Sequence, residues 1–492
     1  MTLQSVGTAT HQLAKKRKVS QFDDQLINGL KERNGESTHA NGGLSLSAFK
    51  HLGLLYSPSV GAKIWSIAER DLGSSGPPTW YPEYTKPGST GYVYRDLSFW
   101  TSGFFPGSLH LLLERTRKFR NELDLVGSNS RKGAAPHVLQ LEHACKWWTE
   151  NLHQNASLLG THDLGFMIFP WARVQWDLHR DQRAFDTMMK AANTLADRFS
   201  ETTGCMRSWD KCQTKCYSFT DTSKDFLVII DNMMNLELLF WAASQTPSRA
   251  ESTRLFDIAV AHARTSQKYH VRADSSTCHV VNFDPSTGTL KERLTNQGYS
   301  HTSCWSRGQA WAIAGFAEAY KWSGEAPFLD TAKRCADYFL RRLPDTQIPP
   351  WDFDAAETSG SAQQPPDTSA ALVAAYGMLV IHQMLLSRSE KSSYLEHALQ
   401  IVDAVCSRHL NPSAHGKEKN RSIDTVENGS GVPVSHVEWD IDEGDTIVNG
   451  ATINNFKFAP RRWADHGLVY ADYFFLLVGN KLLEMNVLRQ ML

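Results

Sequence analysis

Asp163 and Asp231 are the residues of this chain whose type and setting point most directly to chemistry. Asp163 stands in His162-Asp163-Leu164-Gly165-Phe166, and Asp231 in Ile229-Ile230-Asp231-Asn232-Met233-Met234-Asn235. Burying a carboxylate without partners is costly, so an acid in an apolar segment is paired, protonated or facing a polar cavity. Two carboxylates in one low-dielectric cleft push their pKa values apart, so one keeps a proton while the other stays charged. That is the equipment for general acid/base work on a sugar. Taken singly, each acid has a plainer reading. Asp231 then caps a neighbouring loop, and Asp163 caps the N-terminus of a helix.

A second group of polar residues runs into one helix start. Arg307 lies between Trp305 and Trp311, where its planar fork fits a carboxylate bidentately; pairing with a loop acid is the alternative. His279, Thr295 and Gln297 occupy the long connection 271–304 just before it, and long connections in compact domains are often functional. Trp100, Trp209 and Trp351 are candidates for walls on which a sugar stacks. Cys205, Cys212 and Cys216 lie close together, but no fourth ligand follows at zinc spacing. No His/Cys/Asp/Glu cluster has metal-ligand spacing, and no metal is expected.

The elements that must position these residues are helical. From about residue 45 the pattern gives twelve helices: 45–71, 101–117, 137–154, 163–180, 182–200, 224–245, 249–270, 307–323, 326–343, 367–388, 391–410 and 464–488. The stretch 224–245 is read as one buried helix, with Lys224, Val228, Asp231 and Asn235 on one side. Short strand-like pieces stand at 279–283 and 434–439. Apolar helices that open on an aromatic or acidic residue followed by a small one alternate with amphipathic helices. Six inner and six outer helices describe an all-α fold, an (α/α)6 barrel. Inner helix starts gathered at one end would aim their N-terminal dipoles into one cleft and favour an anionic ligand.

Residues 1–43 are polar and aperiodic and read as a disordered tail, with 44–492 as a single barrel domain. Surface insertions are expected near 124–136 and 411–432. The tail's basic patch, Lys15 to Lys18, fits either solvation or a nuclear-import signal. The 492 residues carry a formal net charge of -1, which argues against nucleic acid as partner. No apolar run of about 18 residues is counted, so no membrane span is expected. The N-terminus lacks the apolar core of a secretory signal, and a cytoplasmic location is expected. Oligomeric state is not legible.

In this order and context, the motifs resemble those of the unsaturated glucuronyl hydrolases, glycoside hydrolase family eighty-eight. The matching stretches are 100–107, His162 to Phe166, Ile229 to Leu236, 274–285, Thr302 to Trp311, Trp351 to Asp354, Asp367 to Ala370 and Trp463 to Asp465, across about residues 90–480. The resemblance implies an (α/α)6 barrel, no metal or organic cofactor, and oligosaccharide substrates ending in a 4,5-unsaturated uronic acid. It implies Asp231 as general acid/base and Asp163 as the second carboxylate. Arg307, Thr295 and Trp311 resemble residues around the uronate, His279 and Gln297 resemble polar groups of the site, and Trp209 resembles an aromatic wall. Trp305, His162 and Trp100 join this set of expected substrate-binding residues. Where a Gly-rich segment with a His is expected before Gln297, this chain reads Lys291-Glu292-Arg293-Leu294-Thr295-Asn296. An unsaturated rhamnogalacturonyl hydrolase and a non-catalytic sugar-binding barrel are the other readings.

Overall fold

Apolar helices alternate with amphipathic ones along this chain, and each apolar helix packs on its amphipathic neighbour. The computed structural model describes residues 49–125, 136–355, 364–423, 432–440 and 444–487. The expected tail at 1–43 lies outside them, as does most of the expected insertion at 124–136.

The helices that carry the fold are α1 (Pro58–Leu72), α2 (Phe104–Lys118), α3 (Val138–Thr149), α4 (Leu164–His179), α5 (Gln182–Ala196), α6 (Leu236–Gln245), α7 (Arg249–Tyr269), α8 (Ser306–Ser323), α9 (Ala326–Arg342), α10 (Thr368–Ser387), α11 (Tyr394–Arg408) and α12 (Val469–Glu484). The even-numbered helices contact one another in succession. Helix α2 meets α4, α4 meets α6, α6 meets α8, α8 meets α10, α10 meets α12, and α12 returns to α2. Each odd-numbered helix from α3 onward lies against an even-numbered neighbour. Side-chain caps start two of the amphipathic helices: Ala184 N donates to Asp181 Oδ1 at 2.9 Å, and Glu251 N to Ser248 Oγ at 3.3 Å.

The even-numbered helices approach closely because small residues face the contacts. A Cβ on Gly377 would lie 2.7 Å from Ala314 N, and one on Gly315 2.5 Å from Met233 Cβ. Helix α10 corrects the reading of the sequence. Its 20 residues are long and apolar enough to cross a membrane, with a mean hydropathy of 1.7, so an apolar run of that length does exist. Of its most apolar 18-residue window, 94% is buried inside the protein, as in the central helix of a core.

Three further corrections concern the elements near the chemistry. Residues 224–245 are not one helix. Phe226–Ile229 is a strand (β3), Ile230–Asn235 is a turn of 3-10 helix, and only then does α6 begin. The run Val228-Ile229-Ile230 is β-branched, and such residues prefer a pleated, buried strand. The last helix begins at Val469 rather than 464. The segment 411–432 is not all loop, because His415–Ile423 (β6) pairs antiparallel with Val432–Asp440 (β7).

Strand β3 pairs antiparallel with β4 (Val280–Phe283), and β4 with β5 (Leu290–Leu294). Single bridges extend this sheet on its other side, from Leu227 to Trp209 and from Trp209 to Thr161. One small ladder therefore collects the loops carrying residues 161–163, 208–209, 229–231, 279 and 294–297. A separate hairpin, β1 (Trp80–Thr85) with β2 (Tyr92–Asp96), precedes α2.

Candidate active site

Asp231 is the second residue of the 3-10 turn, placed there by the strand before it. Ile230 N donates to His279 O at 3.0 Å, continuing the ladder in which Ile229 faces Val280. This register sets His279 beside the acid, with Nε2 3.8 Å from Asp231 Oδ2. His279 Nδ1 accepts from Asn296 N at 3.1 Å, so the ring of the neutral imidazole carries its proton on Nε2, facing Asp231. Burial, followed by the Arg307 charge, holds His279 well below its usual pKa.

The Asp231 carboxyl is 8% exposed. Burial raises its pKa to about 7; Arg307 opposes the rise and the nearby Asp163 charge adds to it. A carboxylic acid poised near neutrality is suited to give and take a proton at that pH.

Asp163 reaches the same place from the far side of the ladder. It stands at the start of α4, but its side chain makes no capping bond, so the helix-cap reading does not hold. Thr161 Oγ1 donates to Asp163 Oδ2 at 2.9 Å, and His162 Nε2 lies 3.2 Å from Oδ1. The His162 Nδ1–H is fixed by the Ser208 carbonyl at 2.9 Å. Gly165 brings the two acids together. Phe166 N donates to Asn235 Oδ1 at 3.1 Å, and a Cβ on Gly165 would lie 2.5 Å from that oxygen and 2.7 Å from Asn235 Cα. Gly165→Ala is expected to force α4 away from the 3-10 turn. The cost should be about 1–3 kcal/mol of stability in urea unfolding, together with a fall in kcat that a surface substitution of equal stability cost would not show.

Arg307 departs from the expectation that its fork takes a substrate carboxylate. It is 2% exposed. Nη1 donates to Asp367 Oδ2 and Thr452 O, both at 2.7 Å, and to Ser369 Oγ at 3.2 Å. Nη2 donates to Gln297 Oε1 and Ile453 O, both at 2.8 Å. The guanidinium lies 4.6 Å from the Trp305 ring centroid and 5.3 Å from that of Tyr470. Arg307 therefore works from behind the wall. It clamps three loops and sets a positive charge near Asp231.

The other expected residues divide by depth. Half-buried Trp100 and Trp209 can present faces to a ligand, with Trp209 edge-on to His279 at 5.9 Å. Trp305 is buried against His279 at 4.5 Å, and Trp351 is buried too, so neither forms a stacking wall. Trp311 is fully buried and can offer only its N–H. Thr295 Oγ1 accepts from Gly298 N at 2.8 Å, which shapes the turn and leaves its O–H to donate. Gln297 keeps its amide nitrogen unbonded among the described residues. Arg293, within the stretch that departs from the family pattern, donates its Nε–H to Tyr269 O at 2.8 Å.

Several buried polar atoms around Asp231 have no hydrogen-bond partner among the described residues. Asp231 Oδ2, His279 Nε2, Trp311 Nε1 and Tyr470 Oη belong to this class. Tyr470 escaped the sequence reading because the last helix was started five residues early. Aromatic residues at the other inner-helix starts are the signal that would have found it.

No family model matches the chain. An unsaturated glucuronyl hydrolase of Formosa agariphila is 31% identical over 381 residues, 77% of this chain and 78% of that protein. One from Bacillus sp. strain GL1 is 33% identical over 323 residues, 65% of this chain and 78% of that protein. An unsaturated chondroitin disaccharide hydrolase of Streptococcus agalactiae is 33% identical over 307 residues, 62% and 68% of the two chains. Among solved structures, an unsaturated glucuronyl hydrolase specific for heparin superposes with a TM-score of 0.66 at 26% identity, covering 89% of this chain and 98% of its own. The Bacillus sp. GL1 enzyme gives 0.66 at 25%, covering 87% and 96%.

Proposed function

We infer the reaction from one premise: the chain belongs to the unsaturated glucuronyl hydrolase family. It is a glycoside hydrolase that releases the terminal 4,5-unsaturated uronic acid from lyase-generated oligosaccharides by hydrating the vinyl ether. A related structure holds dGlcA-Glc-Rha-Glc, a ligand of this kind. The reading extends to the architecture, an (α/α)6 barrel with α2, α4, α6, α8, α10 and α12 inside. The succession of contacts that returns from α12 to α2 supports it.

The observation that carries the assignment of roles is the unbonded Asp231 Oδ2, on a carboxyl with a pKa of about 7, opposite a neutral His279 N–H. Asp231 gives its proton to C4 of the unsaturated ring. Positive charge develops at C5 and the ring oxygen. The carboxylate left behind takes a proton from the water that adds at C5. The hemiketal so formed opens and releases the remaining sugar. His279 Nε2–H and Trp311 Nε1–H stabilise the ionised carboxylate midway, when it most needs donors. Asp163, held by Thr161, accepts from ring hydroxyls. Trp100 and Trp209 flank the sugar.

The test is a panel of lyase-generated unsaturated disaccharides, followed by loss of the ultraviolet absorbance of the conjugated double bond. Absence of turnover across the panel overturns the reading. Asp163→Asn supplies a second measurement. The Asp163 charge raises the pKa of Asp231, so its removal should move the alkaline limb of kcat/KM to lower pH while reducing activity. An unmoved limb means the two acids do not sense each other.

A further inference from the structure

We propose that Arg95 is an anion-recognition residue at the mouth of this cleft, holding a carboxylate or sulfate ester on the sugar next to the terminal uronate. The proposal rests on the hydrolase reading above.

The β1–β2 hairpin pairs Trp80 with Asp96, Tyr81 with Arg95 and Pro82 with Tyr94, then slips and resumes at Tyr84 with Val93. Glu83 is the extra residue of that bulge. Bulges re-aim side chains and are over-represented next to active sites. This one turns Glu83 inward, to 2% side-chain exposure; burial holds the proton of the Tyr470 phenol, and the Asp367 and Glu83 charges add to that. Arg95 Nε donates to Glu83 Oε2. The guanidinium carbon lies 5.8 Å from the Tyr84 ring centroid and 5.4 Å from that of Phe99. Arg95 is thus held by one carboxylate and two rings, yet its side chain is 37% exposed. Neither Nη has a hydrogen-bond partner among the described residues. Neutralising Glu83 needs only a charge. A planar fork preset against two rings, with its outer edge open, suits a second oxyanion that it can meet bidentately at little entropic cost.

The hairpin is fastened to the segment that leads into α12 and borders the aromatic wall of the site. Thr85 N donates to Gly467 O at 3.0 Å and Gly467 N to Thr85 Oγ1 at 2.9 Å, fastening it to the approach to α12. Tyr84 packs on Trp463 at 5.5 Å and His466 at 5.8 Å. Phe99 leads to Trp100 at 6.5 Å, and Trp100 lies 5.2 Å from Tyr470. Tyr470 lies beside the Arg307 guanidinium in the catalytic wall. Arg95 therefore stands at the rim of the aromatic wall formed by Phe99, Trp100 and Tyr470, on the side away from buried Arg307.

Arg95→Gln alone strands a buried carboxylate at a cost in stability, so the comparison is Glu83→Gln against the Glu83→Gln/Arg95→Gln double variant, with melting temperatures measured alongside. Each is assayed on unsaturated disaccharides whose second sugar is neutral, O-sulfated or a uronate. Loss of Arg95 should raise KM about tenfold on the sulfated arm, the uronate arm or both, and change the neutral arm by less than about twofold. The arm that responds identifies the oxyanion. Equal losses on all three arms make Arg95 structural and overturn the proposal, as does the absence of loss on both anionic arms. Failure of the wild type on every arm overturns the hydrolase reading itself, and this proposal with it.

Discussion

Asp231→Asn is expected to lower kcat by about two to four orders of magnitude, the usual worth of a positioned acid/base, while leaving the fold intact. Asn is nearly isosteric and keeps an oxygen for the His279 and Trp311 donors, but it has no proton to give to C4. The same substitution has a stability signature of known sign. The folded pKa of Asp231, about 7, lies above its ordinary value. Its contribution to stability is therefore fully present below about pH 4 and is lost as pH rises through 7, where folding must bury a charge. Asn removes that loss. The variant should match or exceed wild-type stability at pH 8, and the gap should close by about pH 4. In the wild type, kcat/KM should fall as pH rises above about 7, when the acid is already ionised. Near-wild-type turnover by Asp231→Asn, or a kcat/KM that does not fall above pH 7, sinks the assignment.

Arg307→Met should be the most destabilising single change near the site, at about 3–5 kcal/mol in urea unfolding, because it leaves Asp367 charged and fully buried without its partner. The lost clamp also frees Gln297 and the backbone at Thr452 and Ile453. Adding Asp367→Asn should recover part of the loss, since the stranded charge is then gone. Arg307 also opposes the rise in the pKa of Asp231, so any residual activity should show its alkaline limb moved to higher pH. Arg307→Lys separates the two views of this residue. Lys can reach Asp367 but cannot span to Gln297 and Ile453, so stability and turnover should fall together. If Lys leaves stability at the wild-type level and turnover still collapses, the fork meets the substrate after all.

The two acids are legible in the sequence because acids are rare in apolar runs. Asp163 and Asp231 stand out by their setting alone, and the ordered motifs around them point to one family. The alternation of apolar and amphipathic helices was legible for the same reason, since burial leaves a periodic trace. What the sequence could not decide was how the two acids meet. Helical spacing suggested that Asp231 projects from the middle of a long helix. In the structure it stands where a strand gives way to a 3-10 turn, because Val228, Ile229 and Ile230 pair with a strand about fifty residues away. Such pairing depends on non-local hydrogen bonds that no local pattern encodes. The fate of Arg307 was hidden likewise. A guanidinium between two tryptophans looks equally ready for substrate or for structure, and only the arrival of Asp367, Thr452 and Ile453 from distant segments fills its donors. The sequence thus determined which groups are present and what they are able to do. Tertiary contacts decided which were spent on holding the site and which were left open to a ligand, because a hydrogen bond formed in folding is no longer free for binding.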